Sequence, residues 1–386
     1  MDANLILRNF NIRIKSKDKK KLSNYLDKIN NLGWPKFIQS YKKNYSYSFS
    51  KNLIKNYKNI KNINIIGMGG SSLGVKAIYN FLINKIKKKI TFYENLNLKS
   101  NIKNKGLNII ISKSGNTLET ISNFNINYRK NNKNIFITES TNNYMCKLAH
   151  KLKSEVIEHK NFIGGRFSVL SEVGMLPAQL MGLTESKFKQ FNNLIINKKF
   201  LENLIHNVLS TYKLIKDKKM NSVILNYDTN SDDLFKWYQQ LVSESLGKNS
   251  KGILPIISTM PKDNHSMLQL YLSGFKSNFY TFYIVEEKNS SKLKSNLLLK
   301  DFDFLKQKKT FQILNAQRLA TEKVFRSKKI PFRSFYLKKR SEETLGKLFC
   351  FFTLEVILLS HLLKVDPLNQ PEVELVKKET FKILQN

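Results

Sequence analysis

Residues 111–120, with the sequence ISKSGNTLET, combine several hydroxyl side chains with one lysine directly behind an apolar run. Ser112, Lys113, Ser114 and Thr117 stand where a strand pattern gives way to a helical one. Backbone amides at a helix N-terminus attract anions, and a lysine adds positive charge beside them. We therefore predict a phosphate monoester site, with simple helix capping by Ser114 or Thr117 as the alternative. A GxxxxGK[ST] loop is absent, which disfavours transfer of a nucleoside phosphate.

The segment GMGGSSLG at residues 67–74 is a second candidate for anion binding. Its glycines let the backbone approach a ligand closely and expose amide groups where a helix begins. Gly70 and Ser71 are the predicted contacts. A nucleotide-binding turn, or a tight turn without a ligand, would contain the same glycines, so the segment alone leaves these alternatives open.

Three further residues are candidates for catalysis or substrate binding. Arg166 follows two glycines, so its guanidinium could reach a crevice, although a surface ion pair explains it equally well. Gln240 and Glu244 are four residues apart and share one helix face. A glutamate held against apolar walls has a raised pKa and suits a general base. Periodicity alone favours the alternative, a solvated pair between Glu244 and Lys248.

Two candidates for proton exchange lie towards the C-terminus. His265, in PKDNHSMLQLYLSG, stands at the predicted start of a helix, where an imidazole could trade protons with a hydroxyl. Lys377 follows Pro371 by two turns if a helix begins at that proline, and Gln370 directly precedes it. A structural histidine and a plain surface lysine are the alternatives.

The elements that must position these residues alternate between apolar runs and helical patterns. Strands are predicted at INIIG, GLNIIIS, KNIFITES, NSVILNYD, GILPIIS and NFYTFYIVE. The helix after NSVILNYD is expected to begin at a Ser231 cap and to end at Gly247. This alternation predicts an α/β protein with two parallel sheets, joined by helices between about residues 168 and 218. The candidates all follow strands, at the edge where ligand crevices form in such sheets.

Composition limits the class of protein. A chain of 386 residues exceeds what one core usually supports, so we expect two domains. The formal net charge is +37, which suggests a polyanion partner. Only eight of the 66 basic residues are arginine, however, and the lysines are spread along the whole chain. We therefore favour a solvated surface over a nucleic-acid site.

Other features point to a reducing compartment and away from a membrane. Cys146 and Cys350 lie far apart without CxxC spacing, so neither a disulfide framework nor a zinc site is predicted. The N-terminus lacks the apolar core of a signal peptide. The most apolar stretch, residues 348–363, contains Glu355 and His361 and is predicted to be a buried helix. A cytoplasmic protein is expected.

Six segments between residues 67 and 377 resemble, in the same order, those of the glucose-6-phosphate isomerase family, also called phosphoglucose isomerase: GMGGSSLG, ISKSGNTLET, GGRFSVLSEVG, WYQQLVSESLGKNSKG, DNHSMLQLYLSG and VDPLNQPEVELVK. The resemblance implies two three-layer α/β/α sandwich domains of the sugar-isomerase type, each with a central, mostly parallel sheet. It also implies the interconversion of glucose 6-phosphate and fructose 6-phosphate through a cis-enediolate, without metal or cofactor.

The resemblance assigns roles residue by residue. Glu244 matches the base that moves a proton between C1 and C2, and Arg166 the cation that stabilises the enediolate. His265 and Lys377 match the ring-opening residues, with His265 contributed by the neighbouring subunit of a homodimer. The implied phosphate pocket comprises Gly70, Ser71, Ser112, Lys113, Ser114 and Thr117. The remaining substrate contacts implied are Gln240 and Gln370.

The domain division follows from these placements. We expect an N-terminal arm over residues 1–55 and a phosphate-binding domain over 56–180. A second domain over 181–345 would carry the base and the histidine, and C-terminal helices over 346–386 would carry the lysine. Leu368, Asn369 and Glu372 stand where the family usually has Phe, Asp and Gly.

Two alternatives remain on the sequence alone. An isomerase of another phosphosugar would need the same phosphate loop. A sugar-phosphate-sensing regulator that binds DNA would use the basic surface, although no helix-turn-helix segment is visible.

Overall fold

The structure is a computed structural model that describes residues 4–96, 98–99, 105–140 and 142–385. Its centre consists of two five-stranded sheets. All neighbouring strands of the first sheet are parallel. Their spatial order is β3 (Lys89–Tyr93), β2 (Asn62–Gly67), β4 (Leu107–Ile111), β5 (Lys133–Thr138) and β6 (Glu155–Glu158).

The second sheet is parallel except at one edge. Its spatial order is β1 (Leu5–Arg8), β10 (Phe332–Leu337), β9 (Asn278–Val285), β7 (Asn221–Asn226) and β8 (Leu254–Thr259). β1 pairs antiparallel with β10, and the other pairs are parallel. The predicted N-terminal arm therefore contributes an edge strand to this sheet, which the sequence did not indicate. The domain boundaries themselves stay a prediction.

Fourteen α-helices of the described residues surround and connect the sheets. Those up to the end of the first sheet are α1 (Ser16–Leu32), α2 (Lys51–Tyr57), α3 (Leu73–Phe81), α4 (Leu118–Asn127) and α5 (Tyr144–Lys151). The connecting helices are α6 (Glu172–Leu180), α7 (Glu185–Phe188), α8 (Phe191–Ile195) and α9 (Lys198–Lys216). The last five are α10 (Asp232–Leu246), α11 (Leu268–Ser273), α12 (Thr310–Ser327), α13 (Glu342–Leu363) and α14 (Pro371–Gln385).

One face of each sheet contributes to a shared hydrophobic core, and the other face of each sheet packs in a separate cluster. Every residue of β4 and of β9 is buried, as expected for central parallel strands covered on both faces. α10 packs against α3, β8 and α13, so it connects the helix that follows β2 with the second sheet. Residues of both sheets, including Ile109 and Tyr283, belong to the same core cluster. This packing fixes the first sheet's loops relative to α10.

α13 is the apolar helix predicted near residues 348–363, and its burial is confirmed. It is long and apolar enough to cross a membrane, but 83% of its most apolar window is buried inside the protein. Glu355 on this helix forms a buried ion pair with Arg333 of β10, whose Nη2 donates to Glu355 Oε2 at 3.1 Å. The charge inside the helix is therefore paired, as burial requires.

Candidate active site

The glycine loop of residues 67–74 brings separate segments of the chain together. It leaves β2 through a 3₁₀ turn, Gly69–Ser71, and enters α3. A Cβ atom on Gly70 would lie 2.2 Å from the carbonyl carbon of Gly165, and one on Gly69 would lie 2.9 Å from Nε2 of Gln240. Gly69 also has φ +54°. Only glycine allows this approach, which sets the loop against both the Arg166 segment and α10.

The same loop adjoins the predicted phosphate segment. A Cβ atom on Gly67 would lie 3.0 Å from the carbonyl oxygen of Ile111 and 3.0 Å from Cβ of Ser71. Ile111 ends β4, and Ser112 follows it directly. Ser71 is thus placed beside the beginning of ISKSGNT, as expected for adjacent parallel strands whose carboxyl ends share one edge.

The loop between β4 and α4 presents hydroxyls and amides. Ser112 Oγ and Thr117 Oγ1 are 2.9 Å apart and hydrogen-bonded. Thr117 occupies the N-cap position of α4, but its side chain makes no capping hydrogen bond. The alternative in which Thr117 caps the helix is therefore not what the structure shows. Thr117 therefore does not cap the first amides of α4. Uncapped amides at a helix N-terminus can donate hydrogen bonds to an anion.

The turn inside this loop depends on Gly115. Its φ is +70°, and its N–H donates to the carbonyl of Ser112 at 3.1 Å. A Cβ atom at this position would lie 2.0 Å from Oδ1 of Asn143, which caps α5 by accepting from the amide of Cys146. Ser114 Oγ accepts from the amide of Asn116 at 3.4 Å. The loop is therefore braced by the start of α5.

Lys113 of the phosphate loop contacts two other segments of the chain. Its Nζ donates to the carbonyl of Asn161 at 2.7 Å and lies 3.6 Å from Oε1 of Glu139. His159, just beyond β6, is buried, and burial lowers its pKa to about 4, with the charge of Lys113 acting in the same direction. His159 was not among the residues predicted from the sequence, where its place directly after a strand is the one indication of a role.

Arg166 is the most constrained polar group of the site. Its side chain is 2% exposed, and burial lowers its pKa while the charge of Glu244 opposes that shift. Nε donates to Ser245 Oγ at 2.9 Å. Nη1 donates to Glu244 Oε2 and Gln370 Oε1, each at 2.9 Å. Nη2 donates to the carbonyls of Pro367 and Asn369.

All five N–H groups of this guanidinium therefore have protein acceptors. Two of the acceptors lie on α10 and three on residues 367–370, just before α14. Ser245 and the two carbonyls were missed by the sequence analysis. Ser245 follows Glu244 directly, but nothing in the sequence indicates that it contacts an arginine 79 residues away.

Glu244 uses both carboxylate oxygens. Oε2 accepts from Arg166, and Oε1 accepts from Nε2 of Gln240 at 2.8 Å. The side chain remains 25% exposed. The alternative pair with Lys248 is absent among the described residues, because Lys248 Nζ donates to the carbonyls of Ser245 and Asp366 instead. Glu244 is thus oriented by a cation and an amide while it keeps access to a ligand.

α10 begins and ends as expected, with one difference. Its N-cap and C-cap positions are Ser231 and Gly247. The Ser231 hydroxyl donates to Oδ2 of Asp228 and makes no capping bond, so the predicted Ser231 cap was wrong in its chemistry. Asp228 is buried beside Arg340. A buried carboxylate needs hydrogen-bond donors, which is why the Ser231 hydroxyl points to Asp228 and not to the helix amides.

His265 and Lys377 do not join Arg166 or Glu244 in the single chain. His265 is exposed at the end of the 3₁₀ turn Lys262–Asn264, and α11 begins only at Leu268, so the predicted helix start at His265 was wrong. Asp263 explains the turn, because its Oδ2 accepts from Thr259 N at 2.9 Å. Lys377 lies on α14, where its Nζ is 2.7 Å from Oε1 of Glu374. Throughout α14 no described residue is buried.

In the part of the chain that the structure describes, no three His, Cys, Asp or Glu side chains are grouped so that they could hold a metal ion. What the site offers is one carboxylate held by a guanidinium and an amide, beside two loops rich in hydroxyls and free amides. Such a set suits proton transfer on an anionic substrate.

Comparison with solved structures identifies the architecture. A hypothetical protein from Thermus thermophilus superimposes with a TM-score of 0.78 at 21% identity, covering 99% of this chain and 100% of that one. A glucose-6-phosphate isomerase from Chlamydia trachomatis gives 0.69 at 17% identity, covering 96% of this chain and 73% of that one. The predicted class, an α/β protein of the sugar-isomerase type with mostly parallel sheets, is confirmed.

The sequence comparisons are more specific. The family model described as phosphoglucose isomerase matches residues 38–260. The glucose-6-phosphate isomerase of Methanocaldococcus jannaschii is 32% identical over 367 residues, covering 87% of this chain and 88% of that protein. The chain therefore belongs to the phosphoglucose isomerase family.

Proposed function

We propose that the protein interconverts D-glucose 6-phosphate and D-fructose 6-phosphate, the aldose–ketose step of glycolysis and gluconeogenesis. Its family membership and the activity named for its 32% identical relative support this reaction. The observation that carries the proposal is the placement of Glu244 between Arg166 and Gln240, where α10 meets the glycine loop.

The phosphate of the sugar is bound at the carboxyl end of the first sheet. The uncapped start of α4 and the hydroxyl pair of Ser112 and Thr117 support this placement. Ser71 and Ser114 would add hydroxyl donors, and the amide of Gly70 lies on the same loop. Lys113 would supply positive charge, exchanging its carbonyl partner for a phosphate oxygen.

Proton transfer is assigned to Glu244. In the aldose, the carboxylate takes the proton from C2, and the electrons of that C–H bond form the C1–C2 double bond of the cis-enediolate. The protonated carboxyl then returns the proton to C1 while the proton of the O2 hydroxyl moves to O1, so that C1 becomes a carbinol and C2 the carbonyl of the ketose. Because C1 and C2 are adjacent, one carboxylate can serve both, a role worth about 10²–10⁴ in rate.

Arg166 would stabilise the negative charge on the enediolate oxygens, while Gln240 orients the substrate from the face of Glu244. Since every N–H of Arg166 is already engaged, a substrate oxygen must replace one of its acceptors. Those on α10 belong to a packed helix, and Pro367 and Asn369 accept through backbone carbonyls, whereas Gln370 accepts through a side chain that can rotate away from Arg166. Gln370 is therefore the acceptor we expect to exchange for substrate.

Opening of the sugar ring requires a donor at the ring oxygen and an acceptor at the C1 hydroxyl. We assign these roles to His265 and Lys377, with His265 supplied by the second subunit of a homodimer. His265 is exposed and makes no side-chain hydrogen bond among the described residues, so it is free to enter a neighbouring site. Lys377 would reach its site through docking of α14, whose side chains all remain unburied in the single chain.

We place the enzyme in the cytoplasm. Cys146 and Cys350 are both buried and unpaired, as expected in a reducing compartment. The one long apolar helix among the described residues is accounted for by the core.

The test is direct. Purified protein supplied with fructose 6-phosphate in D₂O and a chelator should produce glucose 6-phosphate, followed by ¹H NMR, with deuterium entering the transferred position. Mannose 6-phosphate and glucosamine 6-phosphate serve as competing substrates, and faster turnover of either would replace the proposed one. Absence of turnover together with DNA binding that weakens steeply with salt would favour a regulator instead.

A further inference from the structure

A groove of about 1410 Å³ lies outside the catalytic site, between α1, α9 and the end of α13. Its lining includes none of the phosphate-loop residues, nor Arg166, Gln240 or Glu244. Ligand clefts for small molecules are commonly about 300–1,000 Å³, so the groove has room for a ligand of nucleotide size. The proposed isomerisation assigns it no role.

The groove is more basic than the rest of the chain. Of its 25 lining residues seven are Lys or Arg and two are acidic, whereas 66 of all 386 residues are basic. The positive groups come from separate elements. Lys15 directly precedes α1 and Lys21 lies on it, while Lys213 and Lys216 lie at the end of α9. Lys364 follows α13. An anion in the groove would meet ammonium groups from more than one element.

Aromatic side chains line the same groove. The rings of Tyr25 and His361 are stacked, with centroids 3.4 Å apart and planes 8° from parallel. Tyr212 lies beneath Nζ of Lys216, 4.9 Å from the ring centroid. Trp34 also lines the groove. Aromatic rings can stack with a base, and neighbouring lysines can bind phosphates. Proteins that bind nucleic acid without sequence preference use this combination.

One segment connects this groove to the catalytic arginine. Asp366, Pro367 and Leu368 line the groove. The carbonyls of Pro367 and Asn369 accept hydrogen bonds from Nη2 of Arg166. A ligand that shifts this segment would change two of the five acceptors of the guanidinium.

We propose that the groove binds a nucleoside polyphosphate, with the base on the aromatic faces and the phosphates between the lysines, and that its occupancy changes the isomerase activity through residues 366–369. The binding half stands on the groove alone. The kinetic half rests on the proposed function, since it is read out as turnover.

Calorimetry with ATP, adenosine and inorganic tripolyphosphate, each in the presence of saturating fructose 6-phosphate, tests the binding half. One ATP per chain is expected, bound at least about tenfold more tightly than either fragment because both halves of the site contribute. Lys213→Glu with Lys216→Glu should weaken ATP at least about tenfold. The matched control, Lys198→Glu with Lys199→Glu at the other end of α9, should leave ATP binding unchanged. Tyr212→Leu should weaken ATP but not tripolyphosphate.

Several results would overturn the proposal. These are no saturable ATP binding, equal affinity for ATP and tripolyphosphate, equal losses in the two charge-reversal variants, or a second copy of the chain covering the groove in solution. Binding without any change in kcat or KM would overturn the coupling through residues 366–369. Because calorimetry needs no turnover, an inactive isomerase would not be mistaken for a failed binding site.

Discussion

Glu244 Oε2 lies 2.9 Å from Nη1 of Arg166, and the other carboxylate oxygen accepts from Gln240 at 2.8 Å. The guanidinium is almost fully buried, whereas a quarter of the glutamate side chain is exposed. A cation and an amide thus fix the direction of a carboxylate that still faces a ligand. Such preorganisation is what proton transfer at carbon requires.

Replacing Glu244 by Gln should separate proton transfer from ring opening. The amide cannot accept a proton at neutral pH, so isomerisation should fall by about 10²–10⁴-fold. Interconversion of the fructose 6-phosphate anomers should continue, because we assign it to other side chains. NMR exchange spectroscopy measures the anomers and deuterium uptake in one sample.

The control for that variant is Glu202→Gln on α9, an exposed position with no ion pair among the described residues. Its activity should match the unmodified protein. Loss of both reactions in Glu244→Gln, with an unchanged unfolding curve, would contradict the division of roles.

Complementation tests whether His265 acts across a dimer. Glu244→Gln and His265→Ala should each be nearly inactive alone. If the two are mixed under conditions of subunit exchange, half of the dimers carry one chain of each kind. One of their two sites then has both native residues, so about a quarter of normal activity should return.

If His265 served its own chain, each site of a mixed dimer would contain one of the two mutations. No activity would then return. Light scattering of the mixed sample confirms the dimer independently. A monomeric protein with full activity would also refute the partner's role.

Most of the strands that were predicted from the sequence are central, although β8 lies at an edge. β2, β4, β5, β7, β8 and β9 are apolar runs followed by turns, and they were predicted. β3, β6 and β1 are edge strands, which bury less and so need a weaker apolar pattern. β10 was not predicted because it contains the charged residue Arg333. In the structure Glu355 of α13 neutralises this charge, and no local sequence pattern indicates that partner.

In the site, too, contacts between segments that are distant in sequence could not be predicted. The residue types of the two loops and the face shared by Gln240 and Glu244 were readable from short segments. The pairing of Glu244 with Arg166 was not, because 78 residues separate them and Lys248 stood nearer in sequence. Long-range packing of α10 against the glycine loop decided between these partners.

That packing makes Gly70 a sensitive position. A methyl group there would meet the backbone of Gly165 and of Arg166, at 2.2 Å and 2.7 Å. Gly70→Ala should therefore displace Arg166 and reduce kcat/KM by about 10²-fold, the usual consequence of a shift near 1 Å in a catalytic group. Steady-state kinetics and chemical denaturation of the same preparation distinguish this effect from unfolding.

Gly164→Ala is the matched control in the segment that Gly70 contacts. Its φ is −70°, and a Cβ atom would make ordinary contact, 3.5 Å from Cδ2 of Phe167. Activity close to normal is expected. Equal losses in the two variants would mean that any added carbon where these two segments meet reduces activity, and the specific contact between Gly70 and Gly165 would lose its importance.

His159 gives the site a pH dependence in stability. Burial lowers its pKa from 6.5 to about 4, with the charge of Lys113 adding to the shift. Between these values the unfolded chain binds a proton that the folded chain does not, so stability is lost as pH falls from about 6.5 to 4. The full contribution is about 3 kcal/mol, from the size of the shift.

His159→Gln removes this titration but keeps a hydrogen-bond donor beside the carbonyl of Lys160. Urea unfolding at pH 7.5 and pH 4.5 should show the variant gaining about 2–3 kcal/mol relative to the unmodified protein at the lower pH. The control variant His150→Gln, at an exposed position, should show no such gain. Carboxylates that titrate in the same range affect all three proteins alike, so the difference isolates His159. If the free-energy difference is the same at both pH values, the imidazole is protonated within the fold, and its neutral state beside Lys113 is refuted.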